Sequence, residues 1–122
     1  MGWWINLFDP DEPEMTRLPL EISGLHQGGG VITIGGSNQA SMSVTYNYSK
    51  YYYDTIDKED GFRWLNGKLA KDTIVRLENA ITELGTDFSG DYWEATEGNA
   101  GRILQSLVKW AHELPNAVWG VS

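Results

Sequence analysis

The first half of the chain has apolar patterns that are typical of β-strands. Residues 3–8 are a short aromatic and aliphatic run, and residues 31–34 are β-branched throughout. Residues 17–25 are interrupted by Pro19, which lacks a backbone donor, so we expect an edge strand or an extended segment there. The clearest alternation covers residues 40–48, and its apolar side would carry Met42, Val44, Tyr46 and Tyr48.

Two segments of this half predict turns instead. Residues 9–14 contain two prolines and four acids, which cannot contribute to a strand ladder. Residues 28–30 are three consecutive glycines placed before a strand. A phosphate-binding loop follows a strand and opens a helix, so we interpret these glycines as a turn.

After residue 48 the apolar period becomes helical. Ser49 is placed to cap a short helix that runs to Ile56, and residues 62–65 predict one further helical turn. The next helix would be capped by Asp72 and would end at Gly85. Its apolar stripe would be Ile74, Leu77, Ile81 and Leu84.

The last helix is predicted from about residue 98 to residue 113, because Pro115 stops it. Its apolar stripe comprises Ala100, Ile103, Leu104, Leu107, Ala111 and Leu114. Residues 117–121 predict a short closing strand. The order of elements indicates one domain over residues 1–122, with strands mainly in 1–48 and helices mainly in 49–122. We therefore expect an α+β fold, in which an N-terminal antiparallel sheet of three to five strands carries two or three C-terminal helices on one face.

Composition narrows the functional classes. The chain has no cysteine, which excludes disulfides, cysteine zinc sites and thiol catalysis. Its 17 acidic and 9 basic residues give a net charge of −8, which argues against direct binding of nucleic acid. No apolar run is long enough for a membrane span. The first residues lack the basic region of a secretory signal, so we expect a cytoplasmic protein.

Catalytic and metal-binding patterns are hard to find. The two histidines, His26 and His112, are far apart and lack a zinc-binding spacing. Residues 57–61 resemble a calcium loop but place Ile56 and Lys58 where oxygen ligands are needed. We expect no cofactor and favour a binding protein. A carboxylate-dependent enzyme remains a third hypothesis, supported only by unassigned acids.

Aromatic and acidic residues provide the first candidate site. Five tyrosines fall within eight residues at positions 46–53, and acids follow closely. Such tyrosines can form the rim of a core, a partner surface or a floor for a stacked ligand. The candidate partner-binding residues are Tyr48, Tyr51, Tyr52, Asp57, Glu59 and Asp60.

The start of the last helix provides an alternative site. Small residues there leave backbone N–H groups accessible to an anion, and a cation lies one turn into the helix. The candidate ligand-binding residues are Tyr92, Trp93, Gly98, Asn99 and Arg102. In the competing interpretation, Asn99 caps the helix and the glycines allow close packing against Tyr92 and Trp93. The nearby acids Glu94 and Glu97 support this interpretation because they oppose an anion.

Several elements together resemble a known group of proteins. These are the Thr-Tyr-Asn-Tyr of residues 45–48, the helix-ending Leu84-Gly85, the segment Tyr-Trp-x-x-Thr-x-Gly-Asn-Ala of residues 92–100, and residues 114–119. They resemble an uncharacterised family of small bacteriophage and prophage proteins. The resemblance implies a phage context and supplies no catalytic residues.

That context leads to three hypotheses. The first is a non-enzymatic protein that binds a host protein through an acidic, tyrosine-rich surface and inhibits or modulates it in the bacterial cytoplasm. The second is a protein that binds or sequesters a nucleotide-like anion, and the third is the enzyme. Six tryptophans in a small domain also make an aromatic homodimer interface plausible.

Overall fold

The computed structural model describes residues 2–22, 27–28, 31–32, 39–91 and 93–122. Its strands are β1 (Gly2–Phe8), β2 (Gln27–Gly28), β3 (Val31–Ile32), β4 (Ser41–Thr45) and β5 (Val118–Val121). Its α-helices are α1 (Ser49–Thr55), α2 (Ile74–Leu84) and α3 (Glu97–Glu113). Short 3-10 turns cover Glu14–Thr16, Tyr46–Tyr48, Gly61–Leu65 and Ala70–Thr73. The α+β prediction is confirmed.

The main sheet has the order β4-β1-β5, and both pairings are antiparallel. Its central strand, β1, therefore pairs with β5 at the other end of the sequence, which confirms the predicted closing strand. The outer edge of β5 is covered by the segment before α2, where Trp119 N–H donates to Lys68 O at 3.0 Å and Gly67 N–H donates to Trp119 O at 2.8 Å.

The remaining strand predictions have mixed outcomes. Within the described part of the chain, β2 and β3 pair with each other, and Gly29, Gly30 and residues 33–34 lie outside it. Of the segment 17–25, residues 17–22 are described. They are not part of a strand, although Leu20 N–H donates to Leu7 O of β1 at 2.9 Å, Leu20 O accepts from Ala40 N–H at 2.7 Å, and Glu21 forms an isolated bridge with Gln39.

The two faces of the main sheet have different compositions. The inner face carries Trp3, Ile5 and Leu7 of β1, all buried, and the helices pack against it. The opposite side, which we call the outer face, is defined by the strand register and by the pairing of Trp4 with Ser122. It comprises Gly2, Trp4, Asn6, Phe8, Ser41, Ser43, Thr45, Val118, Gly120 and Ser122.

The strand predicted over residues 40–48 is too long, because β4 ends at Thr45. The Thr45 side chain accepts a hydrogen bond from Asn47 N–H at 3.4 Å, which turns the backbone into the 3-10 segment. Ser49 Oγ then donates to Tyr46 O at 2.6 Å. These local side-chain bonds compete with the sheet ladder. Tyr46 and Tyr48 continue the apolar alternation of the strand, although they already lie in the 3-10 segment.

Two of the three predicted helix caps are wrong, and so is the cap in the competing interpretation of α3. Ser49 is the first residue of α1 rather than its cap, and Asp72 lies in the 3-10 turn that precedes α2. The cap of α3 is Thr96, whose Oγ1 accepts a hydrogen bond from Asn99 N–H at 3.1 Å. Gly85 does end α2, with a φ of +77° that favours glycine.

The core forms where α2 and α3 pack together over the inner face. Leu77 of α2 and Leu107 of α3 are fully buried, as the predicted stripes require. Gly101 of α3 lies directly beneath the end of α2, and a Cβ at this position would be 1.8 Å from Gly85 O. A glycine is therefore needed at Gly101 for the helices to approach this closely.

Candidate functional site

The structure assigns two of the predicted partner-binding residues to the core. Tyr48 and Tyr52 have no exposed surface, so the prediction that they contact a partner is wrong. The Tyr52 ring packs against Phe62 with the centroids 5.0 Å apart, and its hydroxyl donates to Ala100 O at 3.1 Å. The buried hydroxyl has its hydrogen-bond partner on α3, so this tyrosine joins α1 to α3.

Tyr51 has an intermediate position. Its side chain is half-buried, and its hydroxyl donates to Ala95 O at 2.9 Å across 44 residues of sequence. This bond ties α1 to the loop that precedes α3. The main contribution of Tyr51 in this structure is therefore to position that loop.

Asp57 organises the turn that follows α1. Its Oδ2 accepts hydrogen bonds from the backbone N–H groups of Glu59 and Asp60, at 3.1 and 2.8 Å. Its Oδ1 lies 3.7 Å from Nη1 of Arg76, which also donates to Ile56 O at 3.3 Å. Asp57 therefore directs its carboxylate inward and shapes the turn, rather than presenting it to a partner.

The acids around Asp57 are exposed, and we call Tyr53, Asp54, Glu59 and Asp60 the acidic corner. The Tyr53 ring is 43% exposed. It lies over Gly61, whose φ is +56° and where a Cβ would be 3.2 Å from the ring carbons. An open groove of about 410 Å³ runs past Tyr53, Asp54 and Glu59. The corner is thus an acidic surface beside a groove, with an aromatic ring at its edge.

Sequence reasoning included Glu59 and Asp60 but missed Tyr53 and Asp54 as site residues. The helical period contained the signal. Tyr52 and Ile56 are four residues apart and share the buried side of the short helix, which directs Tyr53 and Asp54 away from the core.

Nearby basic residues do not neutralise most of the negative charge of the acidic corner. Residues 54–60 contain four acids and one base, Lys58. Arg76 is directed towards the ring of Trp64, with its guanidinium carbon 4.3 Å from the ring centroid. The ammonium of Lys68 lies over the same ring at 4.2 Å. Both cations are therefore engaged beside the corner rather than paired with its exposed acids.

The alternative ligand site is not assembled. Gly98 and Asn99 are buried, and a Cβ on Gly98 would be 2.0 Å from Asp87 O, so the backbone of the preceding loop lies against the helix start. The Thr96 cap already accepts a hydrogen bond from the first turn of α3. The prediction that an anion reaches these residues is wrong, because the loop and the cap fill the space.

Asn99 instead holds the loop in place. Its Nδ2, which has two hydrogens, lies 2.9–3.0 Å from three acceptors, Ser89 Oγ, Asp91 O and Glu94 O, and its Oδ1 accepts from Ser89 N–H at 3.0 Å. The buried Asn99 amide therefore binds the loop at Ser89, Asp91 and Glu94. The sequence pattern gave no sign of this role, since each bond depends on how the loop folds back.

The remaining residues of the alternative site are Tyr92, Trp93 and Arg102. Trp93 is 69% exposed, and the Arg102 guanidinium lies 4.8 Å from the ring centroid of Phe88. Tyr92 lies outside the described residues. Gly98 and Asn99 are buried whereas Trp93 and Arg102 are exposed, so these four described residues do not share one accessible surface.

Three further findings bear on function. The described part of the chain contains no group of three or more His, Asp or Glu side chains that could hold a metal ion. Among the same residues, no helix is long and apolar enough to cross a membrane. Comparison of the sequence with protein-family models and curated proteins, and of the chain with solved structures, found no match.

Proposed function

We propose that this protein is a non-enzymatic binding protein that uses its acidic corner to bind a basic surface of another protein. The proposal places it in the cytoplasm of a bacterial host, where a phage or prophage would use it to inhibit or modulate a host protein. The resemblance of its Thr-Tyr-Asn-Tyr and Tyr-Trp elements to phage proteins supports that setting.

The observation that carries the proposal is that Asp57 and the acids of the acidic corner have different roles. Asp57 is directed inward and fixes the turn through two backbone hydrogen bonds. Glu59 and Asp60 remain exposed on the turn that it shapes, and Asp54 is exposed near the end of α1. Because the turn is held in place before binding, a partner meets a charge pattern that costs little conformational entropy to organise.

Tyr53 supports a protein partner rather than a simple cation. A half-exposed phenol gives a rigid apolar contact and a hydroxyl, and tyrosine is enriched at protein interfaces. Carboxylates bind arginine and lysine side chains through charge-assisted hydrogen bonds. An arginine-rich surface would therefore satisfy both the ring and the acids.

The test compares two charge-matched triple variants. The corner variant carries Asp54→Asn, Glu59→Gln and Asp60→Asn, and it leaves Asp57 intact so that the turn is preserved. The control variant carries Asp72→Asn, Glu83→Gln and Glu94→Gln, which are exposed acids elsewhere. Each immobilised protein is incubated with a bacterial lysate, captured proteins are identified by mass spectrometry, and the binding of each purified candidate is measured by calorimetry.

We expect the wild type and the control variant to bind the same basic protein, and the corner variant to lose most of the affinity. Added salt should weaken the complex, because exposed charges are screened over about 8 Å at physiological ionic strength. Equal binding by the two triple variants, with unchanged melting temperatures, would show that the corner is not the binding surface.

A further inference from the structure

Another cavity lies at the carboxyl-terminal end of α3, away from the acidic corner. It has a volume of about 370 Å³ and is bounded by the loop after β1, by Leu20 and by the turn that connects α3 to β5. We call it the helix-end cavity. Phe62, two residues after Asp60, packs against Trp3 near the start of β1, with the ring centroids 4.9 Å apart. Asp9 of the cavity follows the end of β1, so the cavity and the acidic corner lie near opposite ends of this strand.

Apolar side chains from three parts of the fold contribute to the lining of the cavity. They are Leu20, Leu114 and Ala117. Leu20 N–H donates to Leu7 O of β1 at 2.9 Å, and Leu114 N–H donates to Trp110 O of α3 at 2.8 Å. Ala117 is buried, and its N–H donates to Leu114 O at 3.2 Å. The main sheet and α3 therefore hold this apolar lining in place, which lowers the conformational entropy that a ligand has to overcome.

The charged side chains that line the cavity are all acidic. Asp9, Asp11 and Glu113 contribute carboxylates, and none of the described lining residues is basic. The end of α3 adds to the negative potential, because a helix dipole places about half a negative charge at its carboxyl end. Arg17, the base in the loop after β1, donates from its Nε to Glu12 O at 3.0 Å and is not part of the lining. The charge of the cavity therefore selects a cationic ligand.

The arrangement of the three acids distinguishes between kinds of cation. Within the described part of the chain, no three His, Asp or Glu side chains are close enough to hold a metal ion, so Asp9, Asp11 and Glu113 do not converge on one point. A linear amine instead carries several ammonium groups on one alkyl chain. The chain can pack on Leu20 and Leu114 while each ammonium reaches a different carboxylate. A lysine side chain of a protein would bring only one ammonium to the three acids.

We propose that the helix-end cavity binds a free aliphatic di- or polyamine, with its alkyl chain on Leu20 and Leu114 and its ammonium groups against Asp9 and Asp11. The volume of about 370 Å³ is near the lower end of the range for small-ligand sites, about 300–1,000 Å³. Asp11 is exposed, and exposed charge pairs contribute little to affinity. We therefore expect a dissociation constant of about 0.1–1 mM that rises with added salt.

Titration with putrescine, an alkyl chain with an ammonium group at each end, tests the proposal when it is followed by methyl NMR. The methyl resonances of Leu20, Leu114 and Ala117 should shift, whereas those of Ile56, which lines the groove at the acidic corner, should not. Mg²⁺ carries the same charge without an alkyl chain and should leave all of them in place. N-acetyl-lysine amide carries one ammonium and should bind more weakly than putrescine.

Two double variants in the same loop test which acids bind the amine. Asp9→Asn with Asp11→Asn removes two charges from the cavity, and the new amide keeps the side-chain oxygen to which Asp11 N–H donates at 2.9 Å. Glu12→Gln with Glu14→Gln removes two exposed charges that do not line the cavity. The dissociation constant for putrescine should rise about tenfold in the first variant, as expected for two exposed charge pairs. It should rise less than about twofold in the second, through long-range charge alone. The corner triple variant should bind putrescine like the wild type.

Four results would overturn the proposal. One is the absence of methyl shifts up to about 10 mM putrescine, well above the expected dissociation constant. Another is equal shifts with Mg²⁺, which would mean that charge alone acts. A third is equal weakening by the two double variants while both remain folded by circular dichroism. The fourth is binding of N-acetyl-lysine amide as tight as that of putrescine, which would assign the cavity to a protein side chain.

Discussion

The indole Nε1 of Trp119 donates a hydrogen bond to Thr73 Oγ1 at 2.9 Å, and both side chains are buried. The Thr73 hydroxyl in turn donates to Ala70 O at 2.7 Å. These two hydrogen bonds connect the last strand to the turn that precedes α2. It also explains how a polar residue, Thr73, can be fully buried beside the core.

Replacing Thr73 with valine tests the strength of this connection. The variant keeps the shape of the side chain but leaves the Trp119 N–H without an acceptor, so we expect the free energy of unfolding to fall by about 1–3 kcal/mol. Urea denaturation measures this change. Thr73→Ser keeps the hydroxyl and should lose about 1 kcal/mol at most, through one methyl group. Equal stability of the two variants would contradict the role of the hydrogen bond.

Replacing Asn99 with alanine should release the loop before α3. The loss of the amide leaves the Ser89 N–H and the loop acceptors of Nδ2 unsatisfied, and we expect a cost of at least about 2 kcal/mol. Hydrogen exchange should accelerate at residues 89–94 more than in α2. Asn79→Ala on the exposed side of α2 is the matched control and should be nearly neutral. Unchanged exchange in the loop would show that the amide does not hold it.

Replacing Gly101 with alanine should destabilise the protein even though alanine favours helices by about 1 kcal/mol over glycine. The added methyl group would clash with Gly85 O, and overpacking of this kind costs about 1–3 kcal/mol. Gln105→Ala, on the exposed side of the same helix, should keep or slightly raise the stability. A melting temperature of Gly101→Ala above that of the wild type would mean that the helices separate without cost.

Truncation of the helix stripes tests the core. Leu77→Ala and Leu107→Ala each remove a fully buried side chain, and each should cost about 2–5 kcal/mol by urea denaturation. Val75 is 70% exposed on the same helix as Leu77, so Val75→Ala should change the stability by less than about 0.5 kcal/mol. A loss below about 1 kcal/mol at either leucine would mean that the assignment of the helix faces is wrong.

Much of the fold could be predicted because the relevant signals are local. The apolar run of β1 and the stripe of α3 identify their elements by residue spacing alone. The site could be predicted only in part. Asp57, Glu59 and Asp60 look equivalent in the sequence, and only the turn shows that Asp57 accepts the backbone bonds while the other two face solvent.

The sequence by itself determined the α+β class, the element types and the acidic character of the protein, because periodicity and charge belong to neighbouring residues. Tertiary structure decided which tyrosines are buried, since Tyr52 meets Ala100 only when α1 packs on α3. It also decided that Leu7 lies opposite Trp119 in the sheet. Such pairings join residues far apart in the chain, and their free energy depends on how the whole core packs rather than on any local pattern.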